Sequence, residues 1–499
     1  MTDNGNGPLP RVPSGILGLD TILHGGFLKN GVNIIEGSAG AGKTVLGNQI
    51  AFNHVAQGGR ALYVTLLAET HSRMLLHLQS MRFFEPSRIP QDISYISAFQ
   101  TMQEGGLKGL VALLRREIQA HRASIIVLDN LRAAQQSAAS DIEFKMFFQD
   151  LQVQASLTDC TIFLLSTGKA EVAPEHTMVD ALIELRDELF DARSERALEV
   201  RKLRGSSYLR GRHAFRITNE GLVVFPRLES AYARPTRRTE PLGEPVSTGI
   251  ETLDLMLGGG LRTGTTTTIF GASGTGKTTL GLHFLSPSSR DEPGLFFGFF
   301  ETPERLRAQA AALRLGFVSA MERGDVEIIW QPPTEGIMDE LGHSLLEAVR
   351  RRGVRRLLVD GLGGFMEPVT QPARISRYFA ALANELRSLG VTTVYTLETR
   401  DLISTETRVP INGISSLVEN LIALRYVEYR AHIHRLISVL KTRSSRFDSA
   451  IREFVIGDDG AIIADTFESA LQLLTGSALP ANAGTSARGR ESRRRRNED

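Results

Sequence analysis

The chain has 499 residues, 42 % hydrophobic and 23 % charged, and its 57 Lys and Arg against 56 Asp and Glu leave a net charge of +1. So even a balance supplies no bulk electrostatic pull toward nucleic acid or an anionic membrane. No apolar run approaches the roughly 20 residues that span a bilayer, the polar opening MTDNGNGPLP is not a secretory signal, and the expected location is the cytoplasm. Cys160 is the single cysteine, which excludes an intramolecular disulfide or a cysteine-based zinc site. In CTIFLLST it reads as a small buried side chain of a central strand.

In chain order, PSGILGLDTILHGGF at 13–27 leads to VNIIE, a predicted strand, then to GSAGAGKT, then to KTVLGNQIAFNHV, a predicted amphipathic helix. Gly37, Ser38, Ala39, Gly40, Ala41, Gly42, Lys43 and Thr44 fit the G-x-x-x-x-G-K-[ST] pattern. Its glycines let backbone N–H groups approach a polyphosphate, its lysine meets the outer phosphates, and its threonine reaches Mg²⁺. ALYVTLLAET then offers Glu69 at a strand end as the carboxylate that orients or deprotonates the attacking water of hydrolysis. The alternative is a carboxylate stabilised by the dipole of the following helix. ASIIVLDNL ends a strand at Asp129, 86 residues after Lys43, where a P-loop ATPase needs an acid for the water shell of Mg²⁺. EVRKLRGSSYLRG places Lys202 and Arg204 at i, i+2, so strand alternation turns both cations to one face. Two cations aimed together point to an anion, and a neighbouring subunit's γ-phosphate is one candidate if the domains form rings. An edge strand protected by charge is the other reading.

The pattern then repeats at an offset of 234 residues. STGIETLDLMLGGGL at 247–261 matches the earlier segment, TTTTIF reads as the strand, KTTLGLHFL as the helix, and Gly271, Ala272, Ser273, Gly274, Thr275, Gly276, Lys277 and Thr278 form the second P-loop. Glu301, Asp360 and the pair Lys441 with Arg443 stand where Glu69, Asp129 and Lys202 with Arg204 stand in the first copy. A whole domain of about 230 residues, large enough to bury its own core, is therefore duplicated. The expected boundaries are 10–228 and 246–470, with a Pro- and Arg-rich connector at 229–245. The segment 476–499 lacks apolar periodicity and carries the basic run Arg493 to Arg496, so it reads as a disordered basic tail.

With these residues in place, the chain resembles the KaiC-type ATPases of the RecA-like superfamily from about Pro10 to Glu468. The specific pieces are the S-G-I-x-x-L-D entry, KLRGSSYLRG followed by FRITNEGLVVFP, and LRYVEYRAHIHRLISVLKTRSS followed by IREFVIGDDG. The resemblance implies an α/β fold of two tandem RecA-like P-loop domains, each a mostly parallel sheet flanked by helices with a C-terminal β-hairpin extension. It also implies a double-ring homohexamer with ATP and Mg²⁺ at subunit interfaces, where Lys202 with Arg204 and Lys441 with Arg443 act across them. In the circadian-clock members the second domain transfers phosphate to two adjacent hydroxyl residues, which fall here on Ser415 and Ser416, and on His176 and Thr177 in the first domain. Those serines also read as the cap of a helix SLVENLIALRY, with Glu419 completing a capping box. One departure bears on phosphotransfer: the first of two adjacent strand-end glutamates is Ala68 in one copy and Phe300 in the other.

The leading functional expectation is a ring ATPase with Ser/Thr autokinase activity in the second domain, acting as a nucleotide-gated signalling or timing protein with unidentified signalling proteins as partners. A RecA-like DNA-dependent ATPase, supported only by the Arg tail, and a nonhydrolysing scaffold assembled by ATP are the alternatives.

Overall fold

The computed structural model of the chain describes residues 9–66, 71–168, 175–190, 192–237, 243–399, 417–429, 431–443 and 445–464. The described residues fall in two compact units. One comprises those up to 239 together with 333–351 and 365–389, and the other those of 240–332, 352–364 and from 390 onward.

In the first unit, β1 (Arg11–Val12) pairs with β2 (Phe27–Leu28). The main sheet holds nine strands: β3 (Val32–Gly37), β4 (Ala61–Thr65), β5 (Ile93–Ser97), β6 (Ile125–Asp129), β7 (Thr161–Thr167), β8 (Ala181–Phe190), β9 (Arg193–Leu203), β10 (Arg212–Thr218) and β11 (Gly221–Phe225). Across the sheet they run β11-β10-β9-β8-β3-β7-β6-β4-β5. From β8 to β5 every neighbour is parallel, and β9, β10 and β11 return antiparallel.

The second unit repeats this plan. After the pair β12 (Pro245–Val246) and β13 (Leu261–Arg262) come β14 (Thr266–Gly271), β15 (Gly294–Gly298), β16 (Val326–Trp330), β17 (Arg356–Asp360), β18 (Thr392–Glu398), β19 (Asn420–Tyr429), β20 (His432–Lys441), β21 (Arg452–Gly457) and β22 (Gly460–Ile463). Their order is β16-β15-β17-β18-β14-β19-β20-β21-β22, parallel from β16 to β19 and antiparallel beyond. The expected α/β architecture, two mostly parallel sheets flanked by helices with an antiparallel extension, is what the chain adopts.

Every residue of β3 is buried, as a parallel strand covered on both faces must be. Ile35 faces Leu46 and Ile50 of the helix Lys43–Ala56, whereas Val32 and Ile34 join Phe147, Phe148 and Leu151 on the opposite face. The recurring Leu-Asp entry has a mechanical reason. Asp20 accepts from Ser14 N (2.8 Å), Ser14 Oγ (2.7 Å) and Gly15 N (3.1 Å), and Asp254 repeats this with Thr248 N (2.7 Å) and Ser247 Oγ (2.6 Å). Each carboxylate ties down the chain that leads into its sheet. The segment read as a helix starting after Ser416 is instead β19 from Asn420 onward, and Glu419 accepts from Thr266 N at 2.8 Å rather than closing a capping box. The run NLIALRYVEY is apolar without a clear period, and pairing with β14 and β20 decides it. Cys160 is buried one residue before β7.

The antiparallel extension is locked by His213 of β10. Its Nε2 lies 3.0 Å from Leu209 O and its Nδ1 accepts from Arg227 N at 2.9 Å, so the neutral Nε2–H tautomer satisfies both. Burial pushes its pKa down to about 4, against about 6.5 in the unfolded chain. The unfolded state thus takes up the proton first, and this group's contribution is full above about pH 6.5 and lost as pH falls toward 4. Urea unfolding should show about 2 kcal/mol less stability from this source at pH 5 than at pH 7.5. His213→Gln should flatten that difference.

Candidate nucleotide sites

Both P-loops sit where a central parallel strand ends and a helix begins: β3 feeds the helix Lys43–Ala56, and β14 feeds Lys277–Leu285. The residue before each helix, Gly42 or Gly276, is left-handed with φ of 100°. A side chain there would also strike the antiparallel extension, since an added Cβ would lie 2.6 Å from Ile217 Cδ1 of β10 in one unit and 2.7 Å from Phe454 and Ile456 of β21 in the other. The extension therefore packs directly on the loop.

Lys43 Nζ donates to Gly37 O (2.9 Å) and Ser38 O (2.7 Å), and Lys277 Nζ to Gly271 O (3.0 Å) and Ala272 O (2.8 Å), so each ammonium spans the base of its own loop. Burial lowers both lysines from the ordinary range, opposed by Asp129 at Lys43, and by Glu398 and Asp360 at Lys277. Thr44 Oγ1 lies 3.3 Å from Asp129, and Thr278 Oγ1 lies 3.2 and 3.0 Å from the two oxygens of Asp360. The hydroxyl and the carboxylate predicted to share a cation thus meet in both units.

Different residues brace the two aspartates. Tyr63 of β4 donates to Asp129 at 2.8 Å, and Thr396 of β18 donates to Asp360 at 2.6 Å while accepting from Gly361 N at 2.7 Å. Burial raises the Asp360 carboxyl, the Thr396 and Thr278 hydroxyls and Lys277 lower it, and the charge of Glu301 raises it again. Glu301 therefore lies near enough for its charge to act on Asp360. It also precedes Thr302, the N-cap of the helix Pro303–Ala312, so the dipole reading fits the same geometry. Phe300 beside it is 59 % exposed, and its ring lies 2.7 Å from where a Cβ on Gly361 would sit. Glu69 and Ala68 lie outside the described residues, as do Ser415, Ser416 and the tail.

Lys202 and Arg204 meet at one backbone carbonyl, Arg204 lying just past the end of β9. Lys202 Nζ donates to His176 O (3.0 Å) and Thr177 O (2.9 Å), and Arg204 donates to Thr177 O at 2.7 Å. Lys441 Nζ donates to Val418 O at 2.8 Å. Neither pair is at its own P-loop. Lys202 stands across β8 from Ile34, and Lys441 across β19 from Thr268, each three residues short of the strand end at Gly37 or Gly271. At about 3.3 Å per residue this sets them roughly 10 Å back along the sheet from the loops.

Several site residues escape a reading of the sequence. Tyr426 and Arg435 cover the second loop: Arg435 Nε donates to Gly274 O at 3.3 Å, and a Cβ on Gly274 would lie 2.9 Å from Tyr426 Oη. Nothing in their spacing from the loop announces this. Glu398, by contrast, ends YTLE in the manner of the other strand-end acids, and that position is a usable signal. Thr396→Val should lower stability by about 1–3 kcal/mol in urea unfolding, because Gly361 N–H and Asp360 both lose a buried partner.

A family model described as "ATPase: KaiC" matches residues 12–229 and 246–468. The circadian clock oscillator protein KaiC of Picosynechococcus sp. is 26 % identical over 501 residues, covering 95 % of this chain and 94 % of that protein. KaiC of Synechococcus elongatus is 27 % identical over 477 residues, covering 93 % and 90 %, and KaiC 1 of Synechocystis sp. 26 % over 487 residues, covering 94 % and 91 %. Both matched stretches carry a P-loop, a hydroxyl–carboxylate pair beside it and an antiparallel extension packed upon it, and the chain belongs to the KaiC ATPase family.

Proposed function

We propose that this chain is an ATP hydrolase of ring form, a homohexamer, whose sites are completed between protomers. The observation that carries the reading is the roughly 10 Å offset of Lys202 and Lys441 from their own P-loops, which leaves a neighbour's phosphates as the anion they can meet. Lys43 and Lys277 take the outer phosphates of ATP held in the same chain, and the pairs Lys202 with Arg204 and Lys441 with Arg443 approach from the adjoining one. Glu301, and Glu69 in the first domain, orient the attacking water.

Thr44 with Asp129 and Thr278 with Asp360 fit Mg²⁺, which keeps several waters and needs only one or two protein oxygens. No group of three or more His, Cys, Asp or Glu able to hold a metal occurs among the described residues. When bound, the ion would neutralise polyphosphate charge. Ser415 and Ser416 are the acceptors of a slower self-phosphorylation, Glu301 acting where Phe300 replaces the other carboxylate. Such a ring, changing shape with nucleotide, would signal to protein partners in the cytoplasm. No helix among the described residues is long and apolar enough to cross a membrane.

Sedimentation with ATP, with ADP and without nucleotide should show hexamers in ATP alone. Lys202→Ala/Arg204→Ala should cut phosphate release at the first sites about 10²- to 10³-fold, and doping these chains into wild type should depress activity in steps that track mixed neighbours. Glu301→Gln should slow second-site turnover by about 10²- to 10⁴-fold. If it leaves turnover unchanged while ATP still assembles the ring, the second domain is a scaffold. Phosphopeptide mass spectrometry after MgATP should find label on Ser415 or Ser416.

A further inference from the structure

Glu36 is the residue of β3 immediately before Gly37, and it is 6 % exposed. A buried carboxylate on a central parallel strand is costly unless it is paired, so its partners deserve a reason. Its Oε2 lies 3.1 Å from His176 Nε2, and its Oε1 is buried without a hydrogen-bond partner among the described residues. In register, Ser166 of β7 and Glu184 of β8 flank it.

His176 belongs to the turn of helix Glu175–Met178, whose backbone carries the basic pair: His176 O receives Lys202, and Thr177 O receives both Lys202 and Arg204. On the other side of Glu36, Gly37 O receives Lys43. A path therefore runs from the P-loop lysine to Gly37 O, along the backbone of β3 to Glu36, across the Glu36–His176 contact, and through the carbonyls of His176 and Thr177 to the two cations. Binding a polyphosphate would draw the Lys43 ammonium away from Gly37 O, in the Gly37–Ser38 peptide one residue beyond Glu36.

A cavity of about 270 Å³ adjoins the pair, lined among others by Glu36, His176, Glu175, Arg132 and Ser166. In a packed interior a side chain moves only where there is space, and here both partners border that space. Burial raises the Glu36 carboxyl above its ordinary range, with His176 and Arg201 lowering it and Glu184 raising it. The second unit lacks the device, because the residue 234 positions on is Phe270, a buried aromatic.

We propose that Glu36 and His176 are positioning residues that transmit occupancy of a protomer's own first P-loop to Lys202 and Arg204, and so set hydrolysis at the adjoining protomer's first site. The inference rests on the proposed reading that the basic pair acts between chains. It predicts cooperativity confined to the first domain, since Phe270 cannot make the corresponding link.

The test uses the full-length protein and steady-state ATP hydrolysis at varied ATP, with first-site affinity followed by a fluorescent ATP analogue. Wild type should show a Hill coefficient above 1. Glu36→Gln and His176→Ala should each bring it to 1 and lower kcat about tenfold with KM within about twofold, a change in the range of allosteric couplings. Combined, the two should cost no more than either alone, as for two members of one link. His176→Gln, which keeps a donor toward Glu36, should restore kcat to within about threefold of wild type. A hyperbolic wild-type response would overturn the inference, as would single variants with unchanged kcat and Hill coefficient, or a loss confined to KM. Lys202→Ala/Arg204→Ala separates the two readings. If that variant is inactive while His176→Ala and Glu36→Gln behave as wild type, only the link fails, and if that variant itself is fully active, the completion of sites between chains fails first.

Discussion

The direction of strands in each sheet governs what its ionic groups can touch. A P-loop must lie beyond the end of a parallel strand, because there the N-terminus of the next helix can face an anion. Strands β9 and β20 reverse direction, so the basic residues at their ends return to the opposite edge of the sheet. A loop and a cation pair built into the same domain are thereby offset by roughly 10 Å along the sheet. The sheet topology that sets a P-loop at one end of the parallel strands thus sets the domain's basic pair toward the other.

Duplication kept this frame and exchanged its supports. Asp129 is braced by a tyrosine from β4 and Asp360 by a threonine from β18, and both solutions put a hydroxyl against a buried carboxylate beside the P-loop threonine. The frame tolerates such exchange because backbone geometry sets the position of the acid, while its partner need only arrive from some neighbouring strand. Where the copies differ in charge rather than in support, at Glu36 against Phe270, the difference falls on the strand that feeds the loop. A carboxylate there needs company, and His176 provides it from the segment that carries the cations.

The P-loops, Asp129 and Asp360 are legible in the chain because their chemistry demands adjacent residues or a short apolar strand ending in an acid. The antiparallel extension is legible too, since ITNEG and IGDDG are turn sequences between apolar runs. Asn420–Tyr429 is not. Its alternation is blurred because β14 and β20 flank it and its first five residues are buried, so the same letters satisfy a helical reading. Tyr426 and Arg435 are hidden for another reason: they reach Gly274 from more than 150 residues away in the chain, through sheet order alone.

By itself the amino-acid sequence determined the duplication, the two phosphate loops, the strand-end acids and the presence of a cation pair in each half, because each of these is a pattern within one element or its immediate flank. Tertiary structure alone decided which edge of the sheet those cations occupy, which hydroxyl braces each aspartate, and that a histidine of one segment meets a glutamate of another. Those outcomes depend on strand order and direction, which arise when distant segments pair, and a linear spacing carries no record of them.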